Sequence, residues 1–170
     1  EDINKQFQEG IKKLLNDEPV AHILGYSWFY GRKFKVNDQV LIPRPETEQL
    51  VMNSLLEIEE YFDHFNLDLL YLACGIGAIG ISLKLEEPSL NVSISDISSD
   101  ALSVANENAT NLFAVVSITE SDMLTEFNKN KHLTIARHEI ACSLEDVVKA
   151  AKRYVKPRGK VAFVHRPERL

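Results

Sequence analysis

Three apolar runs between residues 67 and 122 each end in residues suited to gripping a nucleoside. LDLLYLAC (67–74) breaks into Gly75-Ile76-Gly77 and then into the helix-like GIGAIGISLKLEE (75–87). Glycines at a strand-to-helix turn let a ligand approach the backbone closely, and the helix beyond offers unpaired N–H groups. NVSISD (91–96) ends in Asp96, about twenty residues further on, where a carboxylate accepts hydrogen bonds from both hydroxyls of a ribose. AVVSITESD (114–122) ends in Asp122, where a third strand would flank an adenine. The candidate binding set is therefore Ala73, Cys74, Gly75, Ile76, Gly77, Asp96, Asp122 and Met123. Gly75-Ile-Gly77-Ala-Ile-Gly80 also satisfies the dinucleotide fingerprint, so these residues alone leave the nucleoside open.

The elements that must position this set follow from periodicity. Ile3, Phe7, Ile11, Leu14 and Leu15 recur at helical spacing and predict a first helix ending near Asn16, before Pro19. Tyr26–Tyr30 and Phe34–Val36 on either side of Gly31 predict a hairpin. A second helix is expected after Pro45, running towards Tyr61, with Glu46 and Glu48 favourably placed in its first turn. The three apolar runs are expected as strands, separated by helices over 75–87 and 98–112, the latter capped by Ser98 or Ser99. SLEDVVKAAKRYV (143–155) reads as an amphipathic helix opened by a capping-box-like start, and GKVAFVH (159–165) as a final strand. Strand and helix in alternation predict an α/β fold with a mostly parallel sheet and helices on both faces. Residues 1–45 read as an N-terminal helix and hairpin linker region, and 46–170 as the nucleoside-binding domain.

Bulk properties narrow the class. At 170 residues and 45% apolar composition, the chain suits one soluble domain with a real core. No apolar run reaches the ~18 residues of a membrane span, and the acidic start EDINKQFQEG does not read as a signal or transit peptide. Cys74 and Cys142 form no CxxC pair and read as thiols in a reducing compartment; the cytoplasm is the expected location, with no metal site. The net charge of -6 divides unevenly: residues 128–170 carry +7 and the remainder -13. A basic tail suits nucleic acid or an acidic protein surface, and solvated helix faces explain it equally well.

The full stretch LLYLACGIGAIGISL resembles the first motif of the S-adenosylmethionine-dependent methyltransferases, usually DLGCGTGAIGISL, and ISDISSDALSVANENATNL resembles their second. The resemblance implies a Rossmann-like fold, shortened at its C-terminal end beside full methyltransferase domains, and S-adenosyl-L-methionine as cofactor. Tyr71 stands where that motif usually has an acidic residue near the methionine moiety, and Ala73 replaces its first glycine. Loss of the carboxylate and added bulk at Tyr71 are expected to weaken cofactor binding. Ala73 is tolerable there if its backbone keeps a negative φ.

PVAHILGYSWFYGRKFKVNDQVLIPRPETEQLV (19–51) resembles the segment before the cofactor fold of the release factor glutamine methyltransferases. There IPRPETE lies beside the cleft, which makes Arg44 and Glu46 substrate-side candidates and a peptide chain release factor the implied partner. Pro43 and Pro45 push Ile42 and Arg44 into extended backbone, from which Arg44 can pair with Glu46, Glu48 or a substrate carboxylate. That family carries Asn-Pro-Pro-Tyr after its fourth strand to orient the amide nitrogen being methylated; this chain contains no Pro-Pro dipeptide. Residues 128–170 instead resemble the part of bacterial tRNA adenine-N6 methyltransferases that follows the same motif, which makes tRNA the alternative partner. The chain thus resembles two subgroups joined near Glu126–Lys129, with the motif left out. HLTIA (132–136) is a candidate fourth strand. Arg137, His138 and Glu139 beyond it are expected to be structural, so no residue is assigned as catalytic. His165 and Arg166 are read as exposed, and Trp28, Phe29 and Tyr30 as packing for the hairpin.

Overall fold

The computed structural model describes residues 2–62, 67–122, 148–149, 152, 155 and 157–162. The expected amphipathic helix is α1 (Asp2–Leu15). Its apolar stripe forms at the predicted spacing but lies largely in the open, with Ile3 82% and Leu15 78% exposed. A short helix that the sequence did not signal, α2 (Val20–Leu24), follows Pro19 and ends at Gly25, φ 75°. Five residues are too few to display a helical period.

The hairpin pairs β1 (Tyr26–Phe29) with β2 (Arg32–Lys35), antiparallel, with Phe29 opposite Arg32. Tyr30 and Gly31 form the two-residue turn with φ 49° and 70°, the mirror-image geometry that matches strand twist. Phe29 and Phe34 are buried and meet edge to face at 6.1 Å, whereas Trp28 is 64% exposed. The hairpin therefore packs through Phe29, while Trp28 is turned out to solvent. After a single 3-10 turn at Pro45–Thr47 comes α3 (Glu48–Tyr61), which buries Val51 and Ile58.

Three parallel strands follow in the order β3 (Asp68–Leu72), β4 (Asn91–Asp96), β5 (Ser117–Glu120). Tyr71 lies beside Ile94, and Ile94 beside Ile118. The crossovers are α4 (Ala78–Glu86) and α5 (Ser99–Asn111), and Ser98 caps α5 by accepting from Ala101 N–H at 3.2 Å. This is the α/β, parallel-sheet architecture that the alternation predicted, and it agrees with the Rossmann-like fold that the resemblance implied. Both helices lie on one face: Ile94 packs beneath Gly77 and Gly80 at the start of α4, and Ala105 of α5 joins it. Two right-handed crossovers stepping in one direction along a sheet put their helices on the same side. Helices on both faces were expected; both crossover helices among the described residues share one face, and the expected helix over 143–155 lies largely, the candidate strand at 132–136 and the junction near 126–129 wholly, outside the described residues.

The third strand is shorter than the predicted 114–122. Ala114 is buried, but pairing with β4 begins only at Ser117. At the end of the described chain, Gly159–Ala162 is exposed and carries no strand, unlike the expected 159–165; residues 163–165 lie outside the described set. Lys160 there bonds Glu57 at 3.0 Å and rests over the Tyr61 ring, so this segment meets α3 rather than the sheet. Phe29, Phe34 and Val36 of the hairpin region share one buried cluster with Val51, Ile81, Ile94 and Ala105, so hairpin, helices and sheet bury apolar surface together.

Candidate functional site

The carboxyl ends of β3 and β4 carry a backbone turn braced from both sides. Ala73, Gly75 and Gly77 all have positive φ, at 52°, 53° and 78°. The condition of a negative φ at Ala73 is not met: it is left-handed, a conformation that strains any residue with a Cβ. Cys74 N–H donates to Ser95 O at 2.9 Å, Gly77 N–H to Cys74 O at 2.8 Å, and Ile81 N–H to Gly77 O at 2.9 Å. The chain therefore curls tightly off β3 and enters α4 without a side-chain cap.

The two glycines have different reasons to be glycine. A Cβ at Gly77 would lie 2.9 Å from Ile81 Cδ1 and 3.2 Å from Ile94 Cδ1, so the core fills that side. A Cβ at Gly75 would meet nothing within 4 Å. Gly75 thus presents bare backbone to open space, and Gly77 presents it to the core.

Asp96 locks the turn. Its Oδ2 accepts from Gly75 N–H at 2.8 Å and its Oδ1 from Ser98 N–H at 3.0 Å. The carboxylate is thus engaged locally, a role the spacing did not indicate. Each oxygen has two lone-pair positions, so each retains one for a further donor. The chain past β5 stays close, because Ser121 N–H donates to Asp96 O at 3.0 Å, and Asp122 follows it, partly buried. Met123 lies outside the described residues.

Tyr71 is half-buried beside this turn, with its ring near Gly80. Burial first, then the charges of Cys74 and Asp96, hold its phenol well above the ordinary range, so it stays protonated. Burial and the Asp96 charge likewise push the Cys74 thiol up to about 12, which makes it an inert neutral group. The floor of the site is therefore uncharged, and Asp96 is the carboxylate that meets the turn.

Arg44 has the extended backbone predicted for a residue before proline (φ -92°, ψ 139°). Arg44 and Glu46 are both exposed and form no ion pair with each other among the described residues. Glu48 instead accepts from Tyr30 N–H at 2.8 Å, tying α3 to the hairpin turn. The proline-rich run thus delivers Glu48 to the hairpin. Arg137, His138, Glu139, His165 and Arg166 lie outside the described residues.

Sequence reasoning missed Asn108, a polar side chain only 1% exposed. Its signal was present: α5 buries positions 101, 102, 104, 105, 108 and 109, and one of those inward positions is an asparagine.

With this geometry in place, comparison with known proteins is informative. A family model described as methyltransferase small domain matches residues 49–169. Release factor glutamine methyltransferase of Bacillus cereus is 43% identical over 129 residues, 76% of this chain and 46% of its own length. Its counterpart in Bacillus subtilis is 42% identical over 130 residues, 76% of this chain and 45% of its own. The chain thus spans about half the length of these curated relatives. Among solved structures, the tRNA (uracil-54, C5)-methyltransferase of Pyrococcus abyssi, in complex with S-adenosyl-L-homocysteine, overlaps 58% of this chain and 23% of its own. That overlap has 15% identity and a TM-score of 0.46, too partial to add to the topology already described. No helix among the described residues is long and apolar enough to cross a membrane.

Proposed function

Because the chain belongs to the methyltransferase small domain family, we propose that it binds S-adenosyl-L-methionine at the Gly75–Gly77 turn. We propose further that it serves an N-methyltransferase acting on a glutamine amide of a peptide chain release factor. The observation that carries the reading is the 2.8 Å bond from Gly75 N–H to Asp96 Oδ2. It joins a bare backbone turn and a carboxylate into one cradle at the ends of two adjacent parallel strands, where ligands of such sheets bind.

The residues present fit an adenosyl group. Open space above Gly75 admits a ligand against the backbone, and the remaining lone pairs of Asp96 can accept from ribose hydroxyls. Ala73 to Gly77 line the approach, with Asp122 and Met123 after β5 as the candidates beside the base. When bound, the cofactor supplies an electrophilic methyl group on a sulfonium. This chain's own residues bind and orient: Asp96 holds the ribose, the turn holds the adjoining chain, and the neutral Tyr71 phenol replaces a charged partner. Support for the substrate comes from the relatives, release factor glutamine methyltransferases at 42–43% identity. Arg44 and Glu46, on the run before α3, are the proposed substrate-side residues.

Calorimetry with S-adenosyl-L-homocysteine tests the donor site. The parent should release heat and Asp96→Ala should release none; a silent parent overturns the donor assignment, and an unchanged variant moves the site elsewhere. Radiolabelled methyl transfer, offering release factor and tRNA side by side, tests the substrate. Label in the release factor supports the reading. Label in tRNA replaces the substrate, and label in neither removes the transfer activity while leaving the donor site to calorimetry.

A further inference from the structure

Asn108 joins segments that the sequence keeps 73 and 32 residues apart. From α5 its Oδ1 accepts Lys35 N–H at 2.7 Å, and its Nδ2 donates to Lys35 O at 3.1 Å and to Ile76 O at 3.2 Å. The first two bonds reproduce on the outer edge of β2 the paired N–H and C=O exchange of a neighbouring strand. The third reaches the middle of the glycine turn. Both Nδ2 hydrogens are used, so the amide is oriented by its partners.

The third bond matters because of what it fixes. Ile76 O and Gly77 N–H belong to one peptide plane, and the N–H end already donates to Cys74 O at 2.8 Å. Asn108 holds the other end. This plane lies between Ile76 and the left-handed Gly77, and the glycine side offers little steric resistance to its rotation, so pinning both ends selects one turn shape. Asp96 does the same for the plane before Gly75, from the β4 side. The turn is therefore clamped from the sheet by Asp96 and from the hairpin side by Asn108. The neighbouring Lys35–Glu107 pair, with side chains 43% and 46% exposed, is too solvated to substitute for this link.

We propose that Asn108 is a positioning residue: it holds the Gly75–Gly77 turn in its ligand-accepting shape and couples that shape to the hairpin edge at Lys35. The consequence for affinity rests on the donor-site reading above; the coupling itself does not. Displacement of β2 is transmitted through one buried amide to the backbone that meets the ligand.

The test is Asn108→Ala, with amide hydrogen exchange and S-adenosyl-L-homocysteine binding measured at low temperature, where the variant is folded by circular dichroism. Exchange should quicken at Gly77 and Lys35 while the β3–β4 ladder amides hold, and the dissociation constant should rise about tenfold. Uniformly faster exchange, or affinity within about twofold of the parent, overturns the proposal, since a merely structural residue would lower the melting temperature alone. If the parent does not bind the ligand, the donor reading fails and the exchange pattern alone decides the coupling. If Asn108→Ala does not fold, the Asn108 side-chain amide resonances are followed in the parent instead. Slower exchange on ligand saturation supports the link, and unchanged resonances refute it.

Discussion

Substituting alanine at Gly75 and Gly77 should separate folding from binding within one turn. Both residues are left-handed, so alanine at either adds a backbone penalty of about 1–2 kcal/mol. Only at Gly77 does the methyl also collide, 2.9 Å from Ile81 Cδ1, 3.2 Å from Ile94 Cδ1 and 3.3 Å from Ala105 Cβ. These neighbours are core side chains with little room to yield, and overpacking adds about 1–3 kcal/mol. Gly77→Ala should therefore lose about 2–5 kcal/mol, a large share of the ~5–15 kcal/mol of a typical domain. At Gly75 the methyl enters empty space, so the stability loss stays near ~1–2 kcal/mol while the methyl occupies the ligand's approach. Urea denaturation gives the first quantity and S-adenosyl-L-homocysteine calorimetry the second. Gly75→Ala should weaken binding about tenfold or more in a nearly normal fold, and Gly77→Ala should unfold early. Equal stability losses at the two positions would refute the account of the packing. Full affinity in Gly75→Ala would refute the placement of the ligand. Ala73→Gly supplies the reverse sign: it relieves a left-handed alanine and should gain up to about 1.5 kcal/mol after the extra freedom of the unfolded chain is counted.

Two further perturbations follow from the same geometry. The Cys74 thiol, raised from 9.0 to about 12, keeps its proton in the folded state while the unfolded chain releases it. The folded state then binds more protons, so stability is whole below pH 9 and falls by about 1.4 kcal/mol per pH unit from there towards 12. Half-buried Tyr71, its phenol also raised, adds to the loss above pH 10, its ordinary value. Urea midpoints measured up the alkaline range should fall less steeply in Cys74→Ala; parallel slopes would sink the assignment. Glu48→Ala removes the acceptor for Tyr30 N–H and should cost about 1 kcal/mol by thermal denaturation, whereas Glu48→Gln keeps an oxygen there and should recover most of it. No difference between the two variants would mean that solvent replaces the carboxylate freely.

What was legible in the sequence was whatever a single residue type betrays. Gly75 and Gly77 announced a turn with open backbone at the end of β3, and their left-handed φ values account for why glycine stands there. Ser98 announced a cap, and the run 91–96 announced β4 to the residue. Ala73 was illegible for the complementary reason: an alanine gives no sign of being forced into the left-handed region, and only the bracing of Cys74 by Ser95 and of Gly75 by Asp96 explains why it stays there. The α1 stripe was read correctly as a pattern, but periodicity reports which face is apolar and not whether anything covers it. Asp96 was placed correctly at the end of its strand. Its bonds to Gly75 and Ser98 emerged only when the two strand ends were brought together. Long-range pairs such as Asn108 with Lys35 have no local signature beyond a polar residue at an inward position.

The cradle and the transfer step make different physical demands. Holding an adenosyl group needs fixed backbone and one carboxylate, and bonds over 2.7–3.2 Å from Asp96 and Asn108 hold that backbone in a single shape. Methylating an amide needs a weak nucleophile aligned with the methyl carbon and polarised as charge develops, by groups aimed at the transition state. Interactions that grip the donor equally in ground and transition states do not raise the rate of the chemical step. Tight S-adenosyl-L-homocysteine binding would therefore carry no information about turnover in a chain that lacks a Pro-Pro dipeptide. The quantity that decides turnover is methyl transferred to release factor per donor bound. Gly75→Ala should reduce total transfer at low donor and restore it at saturation while leaving transfer per bound donor unchanged, since the methyl at Gly75 obstructs entry and leaves the acceptor side as it was. A deficit that persists at saturating donor would mean that the turn takes part in the chemistry itself.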